Sequence, residues 1–145
     1  MRSFIVSVGA LGFFFCAASA ALGQDAAAGE KVFRVCKACH QIGPDAHNAI
    51  GPVLTGVVGR KAGTYPGYNY SDANKKSGIV WTEDELKKYL QHPAAVVPGT
   101  KMTFAGLPKP SDIDNVIAYL KTFSPAGGAA APASPAPSPT PSAAN

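Results

Sequence analysis

Cysteine is scarce in this sequence, with three residues among 145. Cys16 lies in an apolar N-terminal run and follows a phenylalanine rather than a small residue, which argues against a lipid-anchored cysteine. Only Cys36 and Cys39 remain in the rest of the chain. A structural zinc site needs four ligands, and outside the stretch CKACH, residues 36–40, only His47 and His92 are left to supply them. This shortage of ligands disfavours a structural zinc site.

Blocks of like charge are also missing. The chain has 13 Lys and Arg against 9 Asp and Glu, and without Arg2 of the N-terminal segment the basic count falls to 12 (13 − 1). Such a small and scattered excess gives no argument for nucleic-acid binding, and we predict none. No alternating apolar and polar run is long enough to predict a strand.

The N-terminus has the layout of a secretory signal peptide, which we predict over residues 1–23. A positive start at Arg2 precedes the apolar run 4–18, and small residues follow, with cleavage expected after Ala20 or Gly23. The alternative is an uncleaved anchor, because residues 4–23 approach the roughly 20 residues of a spanning helix. Only residues 24–28 would then separate the membrane from the folded part, which favours cleavage and no stable insertion.

The composition changes abruptly after Phe123. Residues 124–145 consist of Pro, Ala, Ser and Gly with one Thr and the final Asn, and they include no aromatic or charged side chain. Such a segment cannot bury enough apolar surface to offset its ordering entropy, so we predict a disordered tail. Residues 24–123 form the single predicted domain.

Four helices are predicted within this domain, and the fold class is all-α. Asp25 caps the first helix, whose apolar face runs from Gly29 to Cys36. Ser71 caps a short helix over Asp72–Lys76. Thr82 and Glu85 form a capping box for the third helix, which Pro93 ends, and Ser111 caps the fourth, over residues 111–123. The connections are long for a small domain, and a large cofactor packed against them would explain their length.

The stretch CKACH, residues 36–40, allows three readings: a thioredoxin-like dithiol, half of a zinc site, or covalent haem attachment. The dithiol usually occurs in a βαβ context, which this chain lacks. The haem reading uses all three residues, because Cys36 and Cys39 would form thioethers to the two vinyl groups and His40 would bind the iron. We therefore favour one covalently bound haem c.

The second axial ligand follows by elimination. Once Met1 is removed with the signal peptide, Met102 is the only methionine, and it lies in a loop with Pro and Gly before it. His47 is too near His40 in sequence to reach the opposite face easily, and His92 lies at a polar helix end. We predict His40 and Met102 as the iron ligands, a pair that raises the reduction potential and closes the iron to small molecules.

The stretches CKACH, GPVLTGVVGRKAG, YPGYNYSDANKKSGIVW and PGTKMTFAGL, in this order, resemble class I cytochrome c, the soluble bacterial type similar to mitochondrial cytochrome c. The resemblance extends from Gly29 to Phe123. It implies the cytochrome c fold, with three main helices, short helices and long loops around a covalent haem. It also implies that Gly29 lets the first and last helices cross closely, near Tyr119.

The resemblance assigns further residues to the haem. It implies that Pro52 offers its backbone carbonyl to the ring nitrogen of His40 that faces away from the iron. Six other positions match residues that surround the haem propionates: Arg60, Gly63, Tyr70, Ser71, Asn74 and Trp81.

On the Met102 side, the resemblance places Tyr89 and Thr100 beside the sulfur. It also implies that Phe104 shields the exposed haem edge. A haem enclosed in this way leaves outer-sphere electron transfer as its chemistry.

The predicted function is that of a monomeric periplasmic single-electron carrier rather than an enzyme. Its partners would be respiratory or photosynthetic redox proteins, such as a cytochrome bc-type complex, oxidases or reaction centres. Two alternatives remain: a haem peroxidase or ligand sensor in which Met102 is displaced, and a membrane-tethered carrier.

The sequence departs from the resemblance at the haem edge. Mitochondrial-type proteins have lysines at several positions where this chain has Val35, Ala49, Ala94, Ala95 and Pro108, while Lys31, Lys101 and Lys109 remain. Fewer positive charges steer a partner, so docking should depend less on ionic strength than in basic relatives.

Overall fold

The computed structural model of the chain describes residues 24–125. The predicted signal peptide, 1–23, and the predicted tail beyond residue 125 lie outside the described residues. The described chain contains five α-helices and one 3-10 turn: α1 Ala26–Phe33, the turn Cys36–Ala38, α2 Asp72–Lys76, α3 Glu83–Gln91, α4 Pro93–Val96 and α5 Pro110–Lys121.

The all-α prediction is confirmed. Residues 24–125 form no strand, and their single β-bridge is an isolated antiparallel pairing of Lys61 with Val80. No helix in this range is both long and apolar enough to cross a bilayer.

Three predicted caps are present. The Asp25 carboxylate accepts from two N–H groups of the first turn of α1, Ser71 accepts from Asn74 N, and Thr82 accepts from Glu85 N. The reciprocal half of the capping box is wrong, because the Thr82 N–H donates to the Val80 carbonyl at 2.7 Å. The Glu85 carboxylate instead pairs with a lysine one turn further on in α3.

The predicted start of the last helix is also wrong. Helix α5 begins at Pro110, and its N-cap is Lys109, which makes no side-chain capping bond. Proline suits the first helical position because its φ is already helical and its missing N–H would have no partner there. Ser111 is therefore inside the helix. Pro93 acts similarly: it ends α3 as predicted and also begins the short helix α4.

Helices α1 and α5 cross at the centre of the fold. Phe33 and Ile117 are 0 % exposed, and the rings of Phe33 and Tyr119 lie 5.2 Å apart. Gly29 is buried at the crossing, where an added Cβ would lie only 1.9 Å from the Asn115 carbonyl oxygen. The expected close approach at Gly29 is present, and it brings the end of α1 and the following cysteines against the core.

Candidate functional site

A cavity of about 340 Å³ lies between the helices and the long connections. This volume is within the usual range for small-molecule sites. Of the fourteen residues predicted for the site, thirteen line the cavity: Cys36, Cys39, His40, Pro52, Arg60, Tyr70, Ser71, Asn74, Trp81, Tyr89, Thr100, Met102 and Phe104.

Gly63 is the predicted site residue that does not reach the cavity wall. Its φ of +74° lies in the left-handed region, and a Cβ there would meet the Lys75 Cα at 2.8 Å. The structure therefore gives Gly63 a packing role against α2, which carries Asn74 on the cavity wall.

The two cysteines and the histidine share one tight turn. The Cys36 carbonyl accepts from both the Cys39 N–H, at 3.0 Å, and the His40 N–H, at 2.9 Å. The α-helical path ends earlier than predicted, at Phe33 rather than at Cys36, because the next N–H groups, of Arg34 and Val35, bond to carbonyls three residues back. All three side chains line the same cavity as a result. Both thiols are free, and burial, with a smaller contribution from Cys39, raises the pKa of Cys36 to about 11.

The His40 ring is held in one tautomer by a backbone carbonyl. Its Nδ1 lies 2.7 Å from the Pro52 oxygen, and because a carbonyl only accepts, Nδ1 carries the proton. The Nε2 lone pair has no hydrogen-bond partner within residues 24–125, which leaves it free to bind a metal. Burial lowers the pKa of His40, outweighing the opposite effect of the Pro52 bond, so the neutral ring is favoured.

Gly51 supports this ring and was missed by the sequence analysis. A Cβ at Gly51 would lie 2.5 Å from His40 Cε1 and 2.7 Å from Nδ1, so only glycine lets the ring pack flat on the backbone. The Gly51 N–H also donates to the Cys39 carbonyl at 2.7 Å. The signal for it was its position directly before Pro52, to which a role had been assigned.

Met102 is positioned by its neighbours in the loop and by α3. The Tyr89 hydroxyl donates to the Met102 sulfur at 3.3 Å and lies 3.4 Å from Thr100 Oγ1. The Met102 N–H in turn donates to Thr100 Oγ1 at 3.2 Å. Burial raises the pKa of Tyr89, which keeps its phenol protonated as a donor to sulfur. By contrast, His47 and His92 are exposed and do not line the cavity.

Polar groups gather at another part of the wall. The Arg60 guanidinium lies 4.8 Å from the centre of the Tyr65 ring and donates to two backbone carbonyls. Burial lowers the pKa of Arg60 and raises that of Tyr70, while the attraction between this cation and the phenol acts in the opposite sense on both. Trp81 packs on Tyr89 with ring centres 4.6 Å apart. The wall thus combines one half-buried cation with several hydrogen-bond donors.

The mouth of the cavity is apolar. Val35 and Ile50 are 55 % and 76 % exposed, and both line the cavity beside the cysteines. Tyr68, which the sequence analysis did not assign to the site, donates to the Ile50 carbonyl at 2.7 Å and also lines the cavity. Among the lining residues, Arg60 and Lys101 are the only ones with permanently charged side chains.

The residues around CKACH distinguish among its three interpretations: a zinc site, a redox dithiol and covalent haem attachment. Within residues 24–125, no three His, Cys, Asp or Glu side chains come together as a metal-binding group, so this part of the chain offers no zinc site. The same range has no βαβ unit for a thioredoxin-like dithiol. An apolar cavity with two thiols at one wall, a neutral histidine with a free Nε2 and a thioether sulfur fits a covalent haem.

The comparisons with known proteins agree with this fit. The family model described as "Cytochrome c" matches residues 26–124. "Cytochrome c2" of Blastochloris viridis is 53 % identical over 114 residues, which are 77 % of this chain and 90 % of that protein. "Cytochrome c2" of Rhodomicrobium vannielii is 57 % identical over 105 residues, 72 % of this chain and 84 % of that protein.

Among solved structures, cytochrome cH from Methylobacterium extorquens superposes with a TM-score of 0.64 at 55 % identity, covering 68 % of this chain and 98 % of that one. Its similarity extends the sequence match to the arrangement of the helices. The chain belongs to the cytochrome c family, as a class I member of a group of electron-transfer proteins, not enzymes, that carry one covalently bound haem c.

Proposed function

We propose that this protein is a periplasmic single-electron carrier whose haem iron is bound by His40 and Met102. The observation that carries the proposal is the lining of one cavity: two thiols, a histidine with a free Nε2 and a methionine sulfur all face the same apolar space. His/Met ligation raises the reduction potential and leaves no coordination position open, which suits transfer of electrons without bond chemistry.

The haem supplies an iron that changes oxidation state by one electron, and the chain's residues define its surroundings. Cys36 and Cys39 would hold the group in place as thioethers, so that it would not be lost between partners. Pro52 keeps the His40 proton on Nδ1, which orients the ring and makes Nε2 a stronger donor. Tyr89 fixes the Met102 sulfur by hydrogen bonding.

The polar part of the wall is proposed to hold the haem propionates. Two carboxylates taken out of water need donors or a cation nearby, and Arg60 with the hydroxyl and amide groups of this region meets that need. Ser71 is 9 % exposed and uses its oxygen to cap α2. The residues assigned here are Arg60, Tyr70, Ser71, Asn74 and Trp81, with Gly63 packed behind them; Phe104 covers the exposed haem edge.

The proposed compartment follows from the N-terminal segment. A positive start, a short apolar run and small residues predict export and cleavage, which leaves a mature chain starting at Ala21 or Gln24. Covalent haem attachment through a CxxCH motif agrees with an exported protein. We assign its partners to the respiratory or photosynthetic redox proteins of that compartment.

Intact-mass measurement of the protein from the periplasmic fraction tests both parts of the proposal. We expect one mass equal to the chain from residue 21 or 24 plus one haem, and this haem should survive denaturation and organic extraction. The variant with Cys36→Ser and Cys39→Ser should yield haem-free chain under the same treatment. A native chain that keeps residues 1–23, or that loses its haem on extraction, would overturn the proposal.

The rate of oxidation by ferricyanide should depend weakly on salt. The cavity mouth presents Val35 and Ile50, and Lys101 is the only lysine among the lining residues, so few cations attract an anionic oxidant to the haem edge. We expect the rate to fall by less than about 3-fold between 10 and 200 mM salt.

Two variants that add a lysine, one at the cavity mouth and one away from it, provide the control for the weak salt dependence. Val35→Lys should make the salt dependence steeper, whereas Ala27→Lys should do so to a much smaller extent. Ala27 is exposed near the start of α1 and lies roughly 12 Å from Val35 along the helix axis. This distance exceeds the screening length of about 10 Å at 0.1 M salt, so a charge at Ala27 is largely screened from the mouth over the upper part of the salt range. A steep dependence in the unmodified protein would show that cations outside the mouth dominate the encounter.

A further inference from the structure

We propose that Arg60 is a positioning residue for His40, acting by clamping the backbone segment whose Pro52 carbonyl orients the histidine ring. This role differs from the propionate contact and rests on the proposed ligation by His40. The guanidinium donates through Nη1 to the Thr55 carbonyl and through Nη2 to the Val53 carbonyl, both at 2.9 Å. The two carbonyls flank the residue that follows Val53, so the fork spans the chain directly after Pro52.

The clamp has a fixed base. The Arg60 carbonyl accepts from the Trp81 N–H at 2.9 Å, and the Gly59 N–H donates to the Trp81 carbonyl at 2.9 Å. The antiparallel bridge of Lys61 with Val80 extends this pairing. The backbone of Arg60 is therefore attached to the buried Trp81, and its side chain reaches from there to the other segment. Tyr65 supports the guanidinium from one face, with its ring centre 4.8 Å from Cζ.

The clamped segment contributes the hydrogen bond that fixes His40. On its other side, the segment is bonded to residues of the same loop: Val53 N–H donates to Asn48 Oδ1 at 3.2 Å, Leu54 N–H donates to the Gln41 carbonyl at 2.9 Å and Thr55 Oγ1 donates to the Gly43 carbonyl at 2.9 Å. The Leu54 carbonyl also accepts from the Val57 N–H at 3.0 Å, a local turn bond within the chain that leads to Arg60. These bonds hold the loop together but do not attach it to the paired backbone around Trp81. Among the side-chain bonds of residues 24–125, Arg60 makes the connection to that frame.

The consequence concerns the strength of the bond between His40 and Pro52. The Pro52 carbonyl lies one residue before the first clamped carbonyl, so a shift of Val53 moves the acceptor of the His40 Nδ1–H. A well-aligned acceptor makes the imidazole a stronger donor to iron and favours the oxidised state. Loosening the clamp should therefore raise the reduction potential, the opposite of what losing a nearby positive charge does.

This opposition of signs gives the test. Arg60→Lys keeps the charge but cannot donate the planar fork to both carbonyls, whereas Arg60→Gln removes both charge and fork. In the purified holoprotein we expect the His40 Nδ1 proton to exchange with solvent roughly 10-fold faster in both variants than in the unmodified chain. The potential should rise in Arg60→Lys, because only the clamp is lost there.

Two further variants complete the design. Lys61→Gln removes an exposed neighbouring cation and should leave the exchange rate unchanged. Tyr65→Leu keeps Arg60 but removes the ring that supports it, and it should give an intermediate exchange rate even if an Arg60 variant folds poorly.

The outcomes separate this inference from the proposed function. The inference is wrong if Arg60→Lys leaves the exchange rate of the His40 Nδ1 proton and the reduction potential unchanged while Arg60→Gln lowers the potential. That result would leave the positive charge as the role of Arg60. Unmodified exchange in Tyr65→Leu would count against it in the same way. If the unmodified protein shows no iron-shifted His40 resonances, the ligation itself is wrong and the inference is overturned with it.

Discussion

Replacing Met102 with alanine lowers the reduction potential by roughly 0.1–0.3 V, a fraction of the ~0.8 V that axial ligands span. The weak far-red absorption band of the oxidised protein, which marks a bond between iron and methionine sulfur, disappears with it. An open coordination position should then let added imidazole or carbon monoxide bind. Potentiometry and absorption spectra of the unmodified and variant proteins measure all three changes.

The expected size follows from how Met102 is held. Its sulfur accepts from Tyr89 at 3.3 Å, and its backbone N–H is bonded to Thr100 at 3.2 Å, so both the side chain and the backbone are fixed. Alanine keeps the backbone bond but supplies no ligand. The loss should therefore act on the iron rather than on the fold. The packing around α3 should change little.

Three variants serve as controls. Tyr89→Phe keeps the sulfur and removes only its hydrogen-bond donor, so the far-red band should remain while the potential shifts by much less than in Met102→Ala. His47→Ala and His92→Ala remove the two histidines outside the motif, both of which are exposed. Loss of the native spectrum in either histidine variant, with a native spectrum in Met102→Ala, would assign the second ligand to histidine.

Local signals in the sequence were sufficient for much of the fold. Asp25, Ser71 and Thr82 were predicted as caps, and each side chain accepts the expected backbone N–H. Capping is a short-range interaction between residues two or three positions apart, so neither the core nor the cofactor is needed to recognise it. At Pro110 and Ser111, where two helix-start signals are adjacent, the helix begins at the proline, whose fixed φ is already helical.

The site also has a part that the sequence identifies and a part that only the structure shows. The CxxCH spacing and the single loop methionine identify Cys36, Cys39, His40 and Met102 as candidates because the chemistry needs those residue types. The contact of Gly51 with the His40 ring and the fork of Arg60 on the 53–55 backbone depend on how distant segments pack. No periodicity or cap encodes that packing, so only the three-dimensional arrangement shows it.

Gly29→Ala should destabilise the protein by about 3 kcal/mol, near the upper end for overpacking. An ideal Cβ at Gly29 lies 1.9 Å from the Asn115 oxygen and 2.5 Å from its carbonyl carbon. These are backbone atoms, so no side-chain rotation can relieve the contact, and α1 must move away from α5. The penalty outweighs the roughly 1 kcal/mol that alanine gains over glycine in a helix. Denaturant unfolding of the oxidised holoprotein, followed by absorption, measures the change.

The neighbouring Ala27 separates crowding from helix propensity. Ala27 is exposed on the same helix, so Ala27→Gly should cost only about 1 kcal/mol through propensity. Glycine is thus the better residue at one position and the worse residue two positions earlier, although both lie in α1 and have helical backbone. Equal stability of Gly29→Ala and the unmodified protein would mean that the two helices can separate without loss. In that case, the close crossing would not be what holds Phe33 and the following CxxCH turn against α5.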